Sequence, residues 1–256
     1  GANGTLRPNF WRAVTDNDMG ANINITHKVW KNPVMTLQTL EAKQQKTGTM
    51  VTAFYRMDSV QALLTLQYFI GENGTIQVSQ QLQTNKKAST PNLFRFGMVM
   101  DLPYEMEKSV YYGRGPIENY PDRKLSQRIG RYEQMADDQF YPYIRPQETG
   151  TKGDMRWWKQ TDRQGIGLKV VADAPFYASA THYTIPDVDD GDRKEQRHSY
   201  QLKRSCFTEL YLDGAHAGVG GIDSWSGWAE ALEPYQVKCE DRAFTFWLLP
   251  TETVGD

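Results

Sequence analysis

Phe94-Arg95-Phe96-Gly97-Met98-Val99-Met100-Asp101-Leu102 alternates large apolar side chains with smaller or charged ones. Successive side chains of an extended chain point to opposite faces. Phe94, Phe96, Met98, Met100 and Leu102 therefore share one face, and the stretch reads as a half-buried β-strand. The same period of two recurs on either side of it. Met50, Thr52 and Phe54 alternate with Val51, Ala53 and Tyr55, and Ala62, Leu64, Leu66, Tyr68 and Ile70 form one face of a further strand. Gly71-Glu72-Asn73-Gly74 supplies a hairpin turn, after which Ile76, Val78 and Leu82 begin the return. Ile166, Leu168, Val170 and Ala172 give another strand, as do Leu210 and Leu212. Tyr235, Val237 and Cys239 are expected to pair with Phe244, Phe246 and Leu248 around Glu240-Asp241-Arg242. Ala21–Asn32 reads as loop or short helix, ended by Pro33. No stretch of ten residues carries a helical period. Many short strands with closely spaced turns mean an all-β sandwich or barrel. With no linker, repeat or low-complexity run, residues 1–256 read as one domain.

Composition narrows the function classes. A chain of 256 residues can bury a full core, and 23% charged with 39% hydrophobic residues is globular. The formal net charge is -2 and Lys and Arg are spread thinly, which argues against a nucleic-acid surface built on clustered cations. No apolar run approaches the ~18 residues of a membrane-spanning helix, so no membrane partner is expected. Cys206 and Cys239, in apparent strands, read as buried thiols rather than a disulfide framework, and no metal-ligand spacing is present. Gly1-Ala2-Asn3-Gly4-Thr5-Leu6 lacks the basic and apolar parts of a signal peptide and begins without Met, so the chain is expected to be a piece of a longer polypeptide.

Three polar segments interrupt the strands. Asp16-Asn17-Asp18 reads as a turn closed by Gly20 at positive φ. Pro186-Asp187-Val188-Asp189-Asp190-Gly191-Asp192-Arg193 reads as a mobile, solvated loop tip. Gly218-Val219-Gly220-Gly221-Ile222-Asp223-Ser224-Trp225-Ser226-Gly227-Trp228 holds two Trp among four glycines, which deny it a helix or regular strand. An indole on such a loop either plugs the end of a sandwich or offers its face to a sugar ring.

A longer string carries a family resemblance. Tyr111-Tyr112-Gly113-Arg114-Gly115-Pro116-Ile117-Glu118-Asn119-Tyr120-Pro121-Asp122-Arg123 resembles the Gly-x-Gly-Pro-x-Glu-Asn-Tyr-Pro-Asp-Arg signature of the C-terminal domain of bacterial β-galactosidases in glycoside hydrolase family two. Arg12-Ala13 with Thr15-Asp16-Asn17-Asp18 and Gly20 is similar to that domain's opening. Tyr143-Ile144-Arg145-Pro146-Gln147-Glu148-Thr149-Gly150 and Gly218-Val219-Gly220-Gly221 with Asp223-Ser224-Trp225 match two further segments in order and spacing. The chain departs from the pattern at Val14, where Pro is usual, and at Ile222, which replaces the first Asp of a Gly-Gly-Asp-Asp run.

The resemblance implies an antiparallel supersandwich of two large sheets, the galactose mutarotase-like fold. It implies a galactoside-binding role, with Trp225 as a platform at the mouth of the active site. Asp223, Ser224, Asn17, Asp18 and Gly20 are expected beside it, and Trp228 is expected to pack. The partner is the (β/α)8 catalytic domain of the same polypeptide, and a homo-oligomer is compatible with the family. No cofactor is expected in this chain, while Mg or Na belongs to the full-length enzyme. A retaining β-galactosidase needs two carboxylates about 5 Å apart, and the family carries both on its barrel. Glu118 and Glu148 sit in motifs with aromatics nearby, but a Glu beside Gly and Pro caps backbone N–H groups readily. Glu118, Asn119, Asp122, Arg123 and Glu148 are thus expected to be structural, and hydrolysis of terminal β-D-galactosides is expected only of the full-length enzyme. Two other readings stay open. One is a stand-alone aldose mutarotase, for which His182 and His216 are the well-placed general acid or base candidates. The other is a purely structural domain.

Overall fold

The structure, a computed structural model, describes residues 6–251, and the reading of Gly1–Thr5 lies outside them. Its strands, in chain order, are β1 (Arg7–Asn9), β2 (Thr36–Gln45), β3 (Gly48–Met57), β4 (Ala62–Gly71), β5 (Ile76–Thr84), β6 (Arg95–Pro103), β7 (Lys108–Gly115), β8 (Arg128–Met135), β9 (Lys152–Thr161), β10 (Gly167–Thr181), β11 (Phe207–His216) and β12 (Arg242–Pro250). Three one-turn helices, α1 (Asp16–Gly20), α2 (Ile23–Thr26) and α3 (Ile185–Val188), lie between them. The ladders are antiparallel, as the all-β reading requires.

β10 organises the sheet. Leu168–Ala172 pair with β12 and Tyr177–Thr181 with β11, while β9 runs along the opposite edge. A single 15-residue strand therefore hands one edge from one neighbour to the next. Two arms result: β2-β3-β4-β5-β12-β10-β9-β7-β8 and β1-β6-β11-β10. The two large sheets expected are thus arms of one curled sheet joined through β10. Alternation turns Leu64, Val78 and Phe246 of the first arm and Phe96, Met98 and Leu212 of the second into one apolar cluster. Tyr111 and Trp158 stack within it, ring centroids 4.8 Å apart and 8° from parallel. Burying each large side chain stabilises the fold by roughly 1.5–3 kcal/mol. The Gly71–Gly74 turn forms as expected, with Gly74 at φ +79°.

Several local expectations fail for identifiable reasons. β6 is buried on both faces rather than one, because Arg95 pairs inside the protein instead of reaching solvent. Tyr235–Cys239 do not pair with β12, whose two edges are taken by β5 and β10. Glu233–Tyr235 form a 3-10 turn with Pro at its start, and Val237 makes one bridge to Leu93. Cys206 is exposed and Cys239 half-buried, both outside strands. Asp16–Gly20 is helical, and Gly20 is not among the glycines at positive φ. The acidic loop is no solvated tip. Asp189 accepts from Lys31 Nζ at 2.7 Å and Trp11 Nε1 at 2.9 Å, and Asp190 pairs with Arg145 and Arg197.

Candidate functional site

The Gly218–Trp228 loop is fixed from three directions. Asp122 Oδ2 accepts the backbone N–H of Val219 at 2.9 Å and of Gly220 at 2.8 Å. Arg12 Nη2 donates to the Gly218 carbonyl at 3.0 Å. Asn17 Nδ2 donates to the carbonyls of Asp223 at 3.0 Å and Ala229 at 3.3 Å. Within the loop, Asp223 accepts from the backbone of Trp225 and Ser226 and from Ser226 Oγ, a local turn that a short acidic side chain makes readily. Ile222 donates its backbone N–H to Trp228 at 2.8 Å and leaves its own side chain in solvent. On this anchored backbone Trp225 is 79% exposed. Trp228 is 69% exposed rather than packed, because the 3-10 turn Gly227–Ala229 buries Ala229 in its place.

α1 abuts this loop. Its capping box joins Thr15 Oγ1 to the Asp18 N–H and Asp18 Oδ2 to the Thr15 N–H. Asp18 Oδ1 accepts from Arg12 Nη2 at 3.0 Å, and the carboxylate is buried. Burial raises its pKa, against Arg12 and Thr15, which lower it. A Cβ at Gly20 would lie 2.2 Å from the Ser224 carbonyl oxygen, so the close approach of α1 to the loop needs a glycine. Asn17, Asp18, Gly20 and Asp223 thus hold the loop, while Ser224 and Trp225 stand exposed upon it.

The motif residues lie beneath. Glu118 accepts from the Gly150 N–H at 2.7 Å, Thr149 Oγ1 at 3.1 Å, Tyr143 and Arg123. Asn119 donates to the carbonyls of Arg114 and Ile117 and accepts from the Gly153 N–H. Arg123 also lies over the Tyr120 ring, 5.2 Å from its centroid.

Sequence reading named Glu148 and His216 but passed over Arg95 and Asp213, which join them in one buried charged cluster. Arg95 donates to Glu148 at 2.7 Å, Thr151 Oγ1 at 3.0 Å and Asp213 at 3.3 Å, all buried. Asp213 stands opposite Gly97, where a Cβ would be 2.2 Å from the Leu212 carbonyl oxygen. A cation inside the most apolar strand was the available signal. Burial favours neutral Glu148, but Arg95, then His216 and Arg12, hold its pKa well below the usual carboxylate range. Asp213 is pushed up to about 7 by burial, against Arg95. Burial, with Arg95, depresses His216 to about 4. His216 Nε2 lies 3.7 Å from Glu148, the pairing that an acid–base couple needs, but both groups are sealed in. The adjoining cavity, lined by Arg95, Glu148 and Tyr211, holds about 20 Å³, room for about one water. His182 is buried against Tyr104, ring centroids 4.1 Å apart, and its Nε2 lies 3.7 Å from Glu107.

Residues 2–248 match the family described as beta galactosidase small chain. The chain belongs to that family. It is 34% identical over 220 residues to a β-galactosidase of Lactobacillus delbrueckii subsp. bulgaricus, covering 84% of this chain and 21% of that protein. It is 29% identical over 222 residues to one of Priestia megaterium, covering 86% and 21%. The small chain thus spans about a fifth of the length of these relatives. Among solved structures it is similar to a GalM/aldose epimerase homologue from C. elegans, at 7% identity and a TM-score of 0.43 over 84% of this chain and 69% of that one. Of the two departures from the family pattern, Val14 is buried in the core and Ile222 is exposed.

Proposed function

We propose that this small chain is the galactoside-contacting part of a β-galactosidase of glycoside hydrolase family two, offering Trp225 as one wall of the substrate site. The observation that carries the reading is a 79% exposed indole on a loop whose backbone is fixed by Asp122, Arg12, Asn17 and Asp223. An apolar ring face offered to solvent from a fixed backbone suits stacking on the C–H face of a pyranose, and the fixed backbone lowers the entropy lost on binding. Catalysis falls to the rest of the polypeptide. Glu118 and Glu148 are buried and engaged by Arg123 and Arg95, so neither is placed to attack an anomeric carbon. Mutarotase chemistry gains no support, since the Glu148–His216 pair adjoins a cavity too small for a sugar ring. The test is Trp225→Ala in the intact enzyme, read as KM for a galactoside against kcat.

A further inference from the structure

The outer face of the larger arm carries a row of aromatic rings unrelated to the Trp225 loop. Cross-strand pairing aligns Phe69 on β4, Gln77 on β5, Trp247 on β12, Val171 on β10, Trp157 on β9 and Tyr112 on β7, each directly opposite the next. Directly paired residues share a face of the sheet. The residues next to them in sequence, among them Val78, Phe246, Val170, Trp158 and Tyr111, point the other way into the core. All six members of the row are half-buried or exposed, Tyr112 at 40%. Strands lie about 4.8 Å apart. Phe69, Trp247 and Trp157 occupy every second strand, so their steps are about 9.6 Å, roughly the length of two sugar units.

The polar groups around the row match the same ligand. Thr52, Gln67, Ser79 and Thr245 form an adjacent row on that face, all uncharged, with Thr245 donating to Ser79. Gln77 places an amide between Phe69 and Trp247. The Lys169 ammonium reaches Trp157, 5.4 Å from the ring centroid. At the end of the row, Phe69, Gln77 and Trp247 join Glu72, Asn73 and Thr75 around a cleft of about 460 Å³, within the range of sites for small ligands. Cations flank the row, Lys43 beyond Phe69, Arg131 beyond Tyr112 and Lys159 beside Lys169, but aromatic faces at two-sugar intervals beside a strip of hydroxyls and amides suit a sugar chain better than an apolar helix.

We propose that this face is a second carbohydrate site, which holds an extended, neutral oligosaccharide across the strands with its end sugar in the Phe69–Trp247 cleft. Stacking supplies affinity and the Gln77 amide orients the ring over the cleft. The site acts at a distance from Trp225 and retains polymer near the enzyme without chemistry of its own.

Native affinity electrophoresis of the intact protein in gels containing a neutral β-1,4-galactan tests this, with polygalacturonate as the anionic control. Retardation by the galactan is expected, with affinity lowered about tenfold by Trp247→Ala or Trp157→Ala, the scale of one lost aromatic contact. Gln77→Leu, which removes the amide from a half-exposed position, provides a second variant should either Trp change unfold the chain. Trp225→Ala should be retarded like the parent, which separates this site from the galactoside site. Absence of retardation, equal retardation of the Trp247, Trp157 and Gln77 variants, loss in Trp225→Ala, or salt-sensitive retardation by polygalacturonate alone would each overturn the proposal.

Discussion

Asp122 and Gly220 are 98 residues apart in the chain, yet the Asp122 carboxylate accepts the Gly220 N–H at 2.8 Å. The same oxygen takes the Val219 N–H at 2.9 Å. The Tyr-Pro-Asp-Arg string and the Gly-rich loop, separate motifs in the sequence, are one structural unit. Asp122→Ala leaves two backbone donors without an acceptor. It is expected to lower stability by about 1–3 kcal/mol, measured as the urea midpoint, and to raise KM of the intact enzyme by loosening the Trp loop.

Gly20 sets the distance between α1 and that loop. Gly20→Ala places a methyl 2.2 Å from the Ser224 carbonyl oxygen, which neither backbone can absorb in place. A cost of about 1–3 kcal/mol is expected, as for other overpacked sites, together with a raised KM. Gly227 has nothing within 4 Å of its Cβ position, so Gly227→Ala serves as the control and should leave both quantities near the parent values.

Arg95 stands between two buried carboxylates, Glu148 at 2.7 Å and Asp213 at 3.3 Å. Arg95→Met strands both. Breaking a buried pair from one side costs about 3–5 kcal/mol, and loss of the native near-UV CD spectrum at 37 °C is expected. A variant as stable as the parent would show that the cluster does not rely on its cation.

Lys152 is buried, and its ammonium donates to the Gly150 carbonyl at 2.8 Å and the Gln139 side chain at 3.3 Å. Burial pushes its pKa down to about 7, against Glu118 and Asp138. Between that value and the ordinary lysine range the unfolded chain binds the proton and the folded chain does not. This group therefore makes stability rise with pH from about 7 upward, by at most about 1.4 kcal/mol per pH unit. Lys152→Met should flatten that slope between pH 7 and 9 in urea titrations. An unchanged slope would mean that Lys152 stays charged in the fold.

The strands legible in the sequence were those whose residue types alternate, whether the second face is wet, as in β4, or buried, as in β6. Ala62, Leu64 and Leu66 alternate with half-buried or exposed neighbours, so their period survives in the residue types. β2 escaped because all ten of its residues are exposed at a sheet edge and a bulge after Leu37 breaks the register. β9 escaped because Lys152 and Gln160 are buried among its apolar residues, satisfied by partners from β7 and the Gln139 turn. The acidic loop misled for a related reason. Asp190 finds Arg145 45 residues away, and local composition cannot show a distant partner. In the candidate site the motifs marked segments that the fold brings together, but not which side chains hold the loop and which stand exposed on it. Asn17 faces the backbone of the distant Trp loop, and Asp18 and Asp223 the backbone of their own turns, a choice set by hydrogen-bond geometry rather than residue type.

The most direct measurement is steady-state kinetics of Trp225→Ala in the intact β-galactosidase. Loss of one stacking contact worth about 1–2 kcal/mol predicts a KM roughly five- to thirtyfold higher with kcat changed far less. A KM equal to that of the parent enzyme would contradict the assignment of Trp225 to the substrate site.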